Sequence, residues 1–532
     1  MSIIRKLIVI SLGVLCLSYT TQAQNNPPAD ILDFERLVLQ LSQTSPGGSA
    51  RIRGLGSAQT ALGGDISNAS SNPAGLGFFN RSEFSFTPNF NYSNSKSDYL
   101  SRTTTDGKLN FNFANLGVVF NNTKSDIVDS KWRGGNFAIS LNRVADFSNS
   151  ITYEGFNEVS DFIDFAVDAE NFTGRTDLSD LAFNTFMTDE FFVVYNGDDG
   201  TTNAQDSLFI NGIQYFIPDL YGSNLENGDS LFFVDRNIYR PDGSLAFPTQ
   251  ANPTFQQESI NSRGSSYQAS FAYGGNYNDR LYFGASLGIL AYDHEVERTY
   301  TEQPSGADLS RFTLEDIFEQ SGVGVNATIG IIGRPTTPLL LGISYTTPTF
   351  YGIEQLRTLR ATAEYPGFDS EFDEIIYEPF EYSIRTPSKL NVGATYFFGK
   401  SGFITGDIEK VNYAGAKLSN ASDGQGFSES NQSVDDYESV YNYRTGVEFR
   451  FGKFRARGGA AFMEDPTDDE FDQRQLTVSL GGGMRTKNYY ADVSIMNSII
   501  APETTISPYP GAEVATSTTD RTRVSISIGW FF

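Results

Sequence analysis

The chain has 532 residues, with 64 Asp and Glu against 38 Lys and Arg for a formal net charge of −26, and it is rich in Gly (50), Phe (44) and Tyr (27). At 39% hydrophobic and 19% charged it is too apolar and too weakly charged for a disordered or collagen-like chain, and its aromatic, Gly-rich composition favours pleated backbone over helical bundles or Rossmann enzymes. The acidity leaves no basic stripe to displace counterions from phosphates, which excludes nucleic acid as a partner.

Residues 1–23 follow the grammar of a secretory signal. Arg5 and Lys6 form the n-region, Leu7 to Leu17 the apolar core, and Thr21-Gln22-Ala23 a small-x-small cleavage site before Gln24. Cleavage there removes both cations and no acid, leaving 36 basic and 64 acidic residues and a net charge of −28. It also removes Cys16, the only cysteine, so that a mature chain has neither a disulfide nor a thiolate metal site. Cys16 as the acylated residue of a lipoprotein is the competing reading, opposed by Leu15, which stands where a small residue should precede it. After residue 23 no apolar run reaches about 18 residues, so a membrane would be crossed by strands.

Ile31 to Leu41 reads as a short amphipathic helix, and Pro46 to Asp65 is dense in Gly, Ala and Ser ahead of Asn72-Pro73-Ala74-Gly75-Leu76. Small residues permit close backbone packing in a confined lumen, so residues 24–80 are expected to form a plug. Asn72, Pro73, Ala74 and Gly75 are the expected hatch element, because Pro fixes φ and Asn bonds the backbone at a bend. A plain turn at a barrel entrance would use the same residues.

From 81 to 532 the pattern is a barrel. Fourteen alternating segments lie near 83–92, 110–120, 133–154, 266–275, 280–293, 322–333, 338–347, 387–398, 402–412, 440–451, 453–463, 473–485, 487–496 and 521–532. An even count is what a single-chain barrel needs, and tight connections such as Gly333 to Thr337, Phe398 to Gly402 and Phe451 to Lys453 suit short periplasmic hairpins. The third segment is overlong and interrupted by the polar run Val144 to Asn149, so that Ala145, Asp146, Phe147 and Ser148 mark either a kink in one strand or a turn between two.

The stretch 155–265 is an insertion: nineteen acids from Glu154 to Glu258 stand against Arg175, Arg236 and Arg240, with apolar clusters at Phe191 to Tyr195 and Leu231 to Val234. A folded extracellular cap is expected, with smaller excursions at 294–320, 348–385, 413–439, 464–472 and 497–520 on the same side. His294, the single histidine, reads as a loop residue and supports no triad or imidazole metal site. The acidic clusters Gly197 to Gly200 and Asp465 to Asp472 lack the spacing of a Ca²⁺ loop, and Gly481 to Gly483 lies in a strand rather than before a helix. No cofactor, metal or catalytic residue is expected.

The last segment alternates most cleanly. Val524, Ile526, Ile528, Trp530 and Phe532 share one face, with Thr522, Ser525, Ser527 and Gly529 mostly on the other. An apolar face ending in aromatics is what a lipid-facing strand with an interfacial girdle requires; the closing strand of a soluble sandwich would alternate in the same way. Trp530 and Phe532 also resemble the terminal signal by which barrel-assembly machinery recognises bacterial outer-membrane barrels.

Arg53-Gly-Leu-Gly-Ser-Ala-Gln-Thr-Ala-Leu62 followed by Ser71-Asn-Pro-Ala-Gly-Leu76 resembles the N-terminal hatch of the FadL/TodX outer-membrane transport family. Later pieces agree in order: Gly322 to Asn326, Gly342 to Tyr345, Thr386-Pro387 with Gly393, Asp407 to Tyr413, and Tyr443 to Gly446 with Arg457 to Gly459. The resemblance spans nearly the whole mature chain and departs from the family in the oversized insertion and the acidic loops. It implies an all-β, 14-stranded antiparallel transmembrane β-barrel, integral to the bacterial outer membrane and closed by a hatch. The implied function is passive uptake of hydrophobic compounds such as long-chain fatty acids, by lumen entry, hatch gating and lateral exit where the third strand kinks. Such molecules cross a polar lipopolysaccharide surface poorly, so an apolar groove leading to hydrocarbon suffices without chemistry. The alternative is a non-transporting barrel of this type acting as partner of a protein secretion and surface-attachment machine.

Overall fold

The computed structural model describes residues 34–43, 47–124, 130–158, 161–168, 177–185, 187, 189–192, 207–210, 213–216, 230–233, 251–305, 309–420, 426–467 and 472–532. The expected signal segment, the Gly197 to Gly200 cluster and most of the acidic insertion lie outside the described residues. Among the described residues the first elements are three short helices, α1 (Phe34–Ser42), α2 (Ala50–Arg53) and α3 (Asn68–Ser71), followed by a 3-10 turn over Pro73–Phe78. Most of the remaining described residues build the wall.

In chain order the strands are β1 (Glu83–Tyr99), β2 (Arg102–Thr123), β3 (Trp132–Asp146) and β4 (Asn149–Asn157); then, within the insertion, β5 (Asp189–Phe192), β6 (Ser207–Ile210), β7 (Ile213–Phe216) and β8 (Ser230–Phe233). After it come β9 (Ala251–Tyr277), β10 (Leu281–Ser305), β11 (Arg311–Thr336), β12 (Leu339–Thr346), β13 (Phe350–Glu364), β14 (Glu371–Ile376), β15 (Phe380–Arg385), β16 (Lys389–Phe397), β17 (Gly402–Asn412) and β18 (Lys417–Asn420). The last are β19 (Ser439–Phe451), β20 (Phe454–Met463), β21 (Gln475–Arg485), β22 (Tyr489–Ile500), β23 (Glu503–Ile506) and β24 (Ala515–Phe531).

Several of these are two halves of one stave: β3 with β4, β12 with β13, β15 with β16, β17 with β18, and β22 with β23 each pair along shared neighbours. Counted so, the wall is a closed 14-strand antiparallel barrel. The seam is β1 against β24, with Phe84 opposite Trp530, and the Phe532 N–H donates to the Ser82 carbonyl at 3.0 Å. A closed cylinder has no free strand edge.

Alternation sorts two solvents. On β1 the side chains of Ser85, Thr87, Asn89, Asn91 and Ser93 are buried inside while Phe84, Phe86, Phe90 and Tyr92 are exposed outside. On β24 Ile526 and Trp530 face out, and Ser525, Ser527 and Gly529 face in; Thr522 shares the outer face with Val524, and Arg523 and Arg521 continue the inner row in its place. Leu287, Val325, Ile329, Leu341, Ile343, Val392, Ile408, Leu480 and Val493 continue the outer band around the barrel. Apolar outside and polar inside is the arrangement that hydrocarbon imposes on a strand wall, and the chain is an integral outer-membrane protein.

The staves run further than the apolar alternation that predicts them. β1 and β2 meet in a two-residue turn with Leu100 and Ser101 at positive φ, and β10 and β11 are 25 and 26 residues long, so much of 93–109 and 294–320 is wall rather than loop. The reason is chemical: above the apolar band the outer face meets water, so residues such as Glu297, Thr299 and Thr301 carry no lipid-facing signal while the ladder continues. The two helices of the insertion are packed on the wall. α4 (Phe162–Asp168) and α5 (Asp177–Asn184) bury Phe162, Ile163, Leu178 and Leu181 against Tyr300, Phe312, Leu314, Leu359 and Tyr509 at the far end of the wall.

Leu287 lies midway along the outward apolar row of β10 and is half exposed to the bilayer. Leu287→Arg is expected to lower unfolding stability in lipid vesicles by about 2–4 kcal/mol, whereas a polar change at inward Ser286 is expected to cost far less; urea titrations monitored by tryptophan fluorescence check both.

Candidate functional site in the lumen and the third stave

Residues 47–79 touch the inner wall almost all the way round, and they do so through glycines. A Cβ on Gly274 or Gly284 would overlap Pro73, one on Gly330 would overlap Asn72, one on Gly342 would overlap Thr60, and one on Gly446 or Gly459 would overlap Leu55 or Gly56. The register places Gly274 opposite Gly284, Gly284 opposite Gly330, Gly342 opposite Gly393, and Gly446 opposite Gly459, so the small positions form a belt at one height. Backbone meets backbone across that belt. Close approach of this kind is what glycine permits and any side chain prevents.

Polar wall side chains complete the contact. One Asp407 oxygen accepts the Gln59 and Thr60 N–H groups at 2.6 and 2.8 Å, the Ser527 and Ser479 hydroxyls accept Ala50 N–H at 2.7 Å and Gly56 N–H at 3.0 Å, and Asn136 donates to the Leu76 and Phe79 carbonyls. Arg53 donates to Asn89 and Ser525, and Arg51 lies between Asp65 (3.6 Å) and Glu448 (3.8 Å). The four residues singled out in the sequence fall together at one place. Asn72 caps the 3-10 turn by accepting the Ala74 N–H at 3.2 Å and donates to the Thr60 carbonyl at 2.7 Å; Pro73 opens the turn; Ala74 and Gly75 are buried in it; and Phe78 at its end stacks on Tyr282 with 3.8 Å between ring centres.

α1 is held differently. Residues 31–33 lie outside the described residues, but from Phe34 on the expected helix is present, and Phe34, Leu37, Val38 and Leu41 are buried on a luminal apolar patch of Leu290, Tyr292, Tyr351, Tyr382, Leu418 and Phe427. Phe34 meets Tyr382 and Phe427 edge-on at 5.5 and 5.1 Å.

The interruption at 144–149 is a break inside one stave, because β3 and β4 both pair with β9, Asp146 opposite Ser265 and Asn149 opposite Ser262. The reading as a turn between two strands is thereby corrected. The ladder between β2 and β3 stops at Asn115 opposite Asn142, and above it residues 102–114 of β2 pair only with β1. Side chains bridge the gap instead: Asp106 accepts from Ser150 and Thr152, Lys108 donates to the Asn149 and Ser262 carbonyls, Asn110 donates to Ser148 at 2.7 Å, and Arg102 pairs with Glu154 at 2.8 Å. Outside this polar seam Leu109 and Phe111 are exposed at 70% and 65%, so the lost ladder lies within the apolar band.

At the break Asp146 accepts from Arg143 (3.0 Å), the Ser148 N–H (3.1 Å) and Asn91 (2.8 Å), while the Phe147 N–H donates to the Gly264 carbonyl. Gly264, at φ +132°, is required there because a Cβ would overlap the Asp293 carbonyl. His294 is no loop residue: it is buried in β10, with its ring 4.7 Å from that of Phe147 and Nδ1 3.3 Å from the Tyr292 hydroxyl. A cavity of about 500 Å³ is bounded by Leu39, Gln40 and Gln43 of α1 and its C-terminal end, by Ala145, Asp146 and Phe147, and by Arg521 and Arg523 of β24, Arg521 donating to the Asp146 carbonyl at 3.1 Å. Asp407, Gly264 and the wall glycines were not assigned a role from sequence; the signal that marks the glycines is their recurrence at one height in neighbouring strands.

No protein-family model and no curated protein matches the sequence. Among solved structures, a Pseudomonas aeruginosa FadL homologue aligns over 92% of this chain and 99% of that one at a TM-score of 0.52 and 11% identity. The deltaS2S3 mutant of the monoaromatic hydrocarbon channel TodX aligns over 91% and 99% at a TM-score of 0.50 and 12% identity. At these identities the likeness is one of fold, and the fold is the one the sequence resemblance implied.

Because a side chain at Gly284 must displace the Pro73 carbonyl, Gly284→Val is expected to destabilise the seated 3-10 turn by about 1–3 kcal/mol and to raise sugar permeation in liposome-swelling assays. Gly333→Val, at a position with open space around it, is the matched control and leaves permeation unchanged.

Proposed function

We propose that the chain is a channel of the FadL/TodX type for passive entry of hydrophobic compounds, which leave the lumen sideways between β2 and β4. The observation that carries this reading is the ladder that ends at Asn115 and Asn142 within the apolar band, beside a cavity of about 500 Å³ that reaches Ala145, Asp146 and Phe147. A membrane wall tolerates unpaired backbone only where protein or water satisfies it, and an opening there connects lumen to hydrocarbon without any change of solvent for an apolar solute. Ala145, Asp146, Phe147 and Ser148 form the inner lip of that exit.

The patch under α1 is the entry-side binding surface, and α1 is its occupant until an apolar solute competes for it. The Asn72 to Gly75 turn is the hatch element, held on the Gly274, Gly284 and Gly330 wall. The solute class includes long-chain fatty acids as well as the monoaromatic hydrocarbons named for TodX. Trp530 and Phe532, exposed at the closing seam, serve the barrel-assembly machinery. A second reading, a barrel that holds exported proteins for a secretion machine, is favoured by the acidic insertion, whose helices α4 and α5 are anchored on the far end of the wall.

The test uses the absence of cysteine after Cys16. Asn110→Cys with Ser148→Cys places two thiols where a 2.7 Å hydrogen bond now spans the seam. Oxidation is expected to lower uptake of a labelled hydrophobic probe at least severalfold, and reduction to restore it. Equal uptake in both forms rejects lateral exit, and unchanged uptake in a deletion strain that has lost protein export supports the second reading.

A further inference from the structure

The two ends of the barrel carry opposite charge. At the end with short turns, the turns joining β2 to β3, β9 to β10, β16 to β17, β19 to β20 and β21 to β22 each carry a cation, Lys131, Arg280, Lys400, Lys453 and Lys487, and Arg334 stands near the end of β11 beside the sixth turn, to β12. The acids in those turn sequences are Asp126, Asp129 and Asp279. The opposite end carries the acidic insertion and runs such as Asp369 to Glu378, which contains five acids and no base. In a chain of net charge −26, a cation in five of the six short turns and one beside the sixth is not a consequence of composition.

Arg334 turns inward over the ring of Phe78. The other five are exposed, and their side chains make no hydrogen bond or ion pair among the described residues. Each also sits beside an aromatic side chain at the same rim: Lys131 by Trp132, Arg280 near Tyr277, Lys400 near Phe398, Lys453 between Phe451 and Phe454, and Lys487 near Tyr489. Tyr277, Phe398, Phe451, Phe454 and Tyr489 are all exposed on the outer surface. Aromatic rings at a barrel rim mark the headgroup level of the bilayer, so the five free cations lie at the level of lipid phosphates, within reach on flexible stems.

We propose that this rim is a binding surface for anionic glycerophospholipids of the periplasmic leaflet, with the five turn cations engaging lipid phosphates around the barrel. A protein partner would be expected to need a continuous face, whereas these charges are spread singly around the perimeter over five of the six turns, as a ring of lipids is. Each cation near an anionic surface contributes a factor of about five.

The test is lipid retention by the intact barrel. The protein is reconstituted in vesicles of equal phosphatidylglycerol and phosphatidylcholine, extracted in mild detergent, and the co-purified lipid measured. Phosphatidylglycerol is expected to be enriched at least about fivefold over phosphatidylcholine, with the enrichment falling in high salt. The variant K131Q/R280Q/K400Q/K453Q/K487Q is expected to lose it, while K131R/K400R/K453R/K487R keeps it; both are checked for the heat-modifiable migration of a closed barrel. Equal retention of the two lipids by the wild type, or undiminished enrichment in a folded neutralised variant, overturns the proposal.

Discussion

Within hydrocarbon every backbone N–H and C=O must find its partner inside the protein, at several kcal/mol for each one that does not. That constraint closes β1 on β24 and fixes the Phe532 N–H on Ser82, so that no stave has a free edge. It also gives the third stave its meaning. Where the β2 ladder loses its partner above Asn115, the gap is not left bare but is furnished residue by residue with Arg102, Asp106, Lys108 and Asn110 facing Ser148 to Glu154. The inward bend is equally furnished, by Asp146 gathering three donors and by a glycine at 264 where no side chain fits. A wall that merely failed to pair would not carry this set of partners.

The same requirement explains how a segment with little apolar content of its own stays folded inside the lumen. Residues 47–79 are too rich in Gly, Ala and Ser to build a core, and the wall answers with glycines that let main chains touch and with Asp407, Asn136, Ser479 and Ser527 that take up main-chain hydrogen bonds. Many short-range contacts of backbone against backbone replace the few large side chains of an ordinary core. The fit is therefore shape-specific.

How much of this was legible follows from which solvent each residue faces. The C-terminal strand could be read residue by residue because Ile526 to Trp530 face lipid and Ser525 to Gly529 face the lumen, the strongest alternation available. The upper halves of β10, β11 and β13 could not, because water lies outside them and the outer face is polar as well. His294 was misplaced for the same reason: Asp293 and Glu295 beside it look like a loop until their outward direction on a tall stave is known. Wall glycines such as Gly284 and Gly459 read as weak points in a strand when taken singly, since their partners, Pro73 and Gly56, are hundreds of residues away in sequence. The polar interruption at 144–149 was visible, but only pairing of both flanks with β9 decides that it bends one stave.

The luminal segment is held by two kinds of force, and they respond to different things. A nine-residue helix such as α1 has no stability of its own in water; it is a helix because Phe34, Leu37, Val38 and Leu41 have an apolar patch to cover. An apolar solute that prefers that patch removes the reason for the helix, so the occupancy of the patch and the order of α1 are one equilibrium. The glycine belt below is insensitive to such a solute, because its contacts are main chain to main chain and its anchors are hydrogen bonds. On the proposed channel reading, a hydrophobic molecule in the lumen would act on α1 first, meet the belt only as a floor, and be directed toward the break at Phe147, whose ring borders both the α1 patch and the cavity.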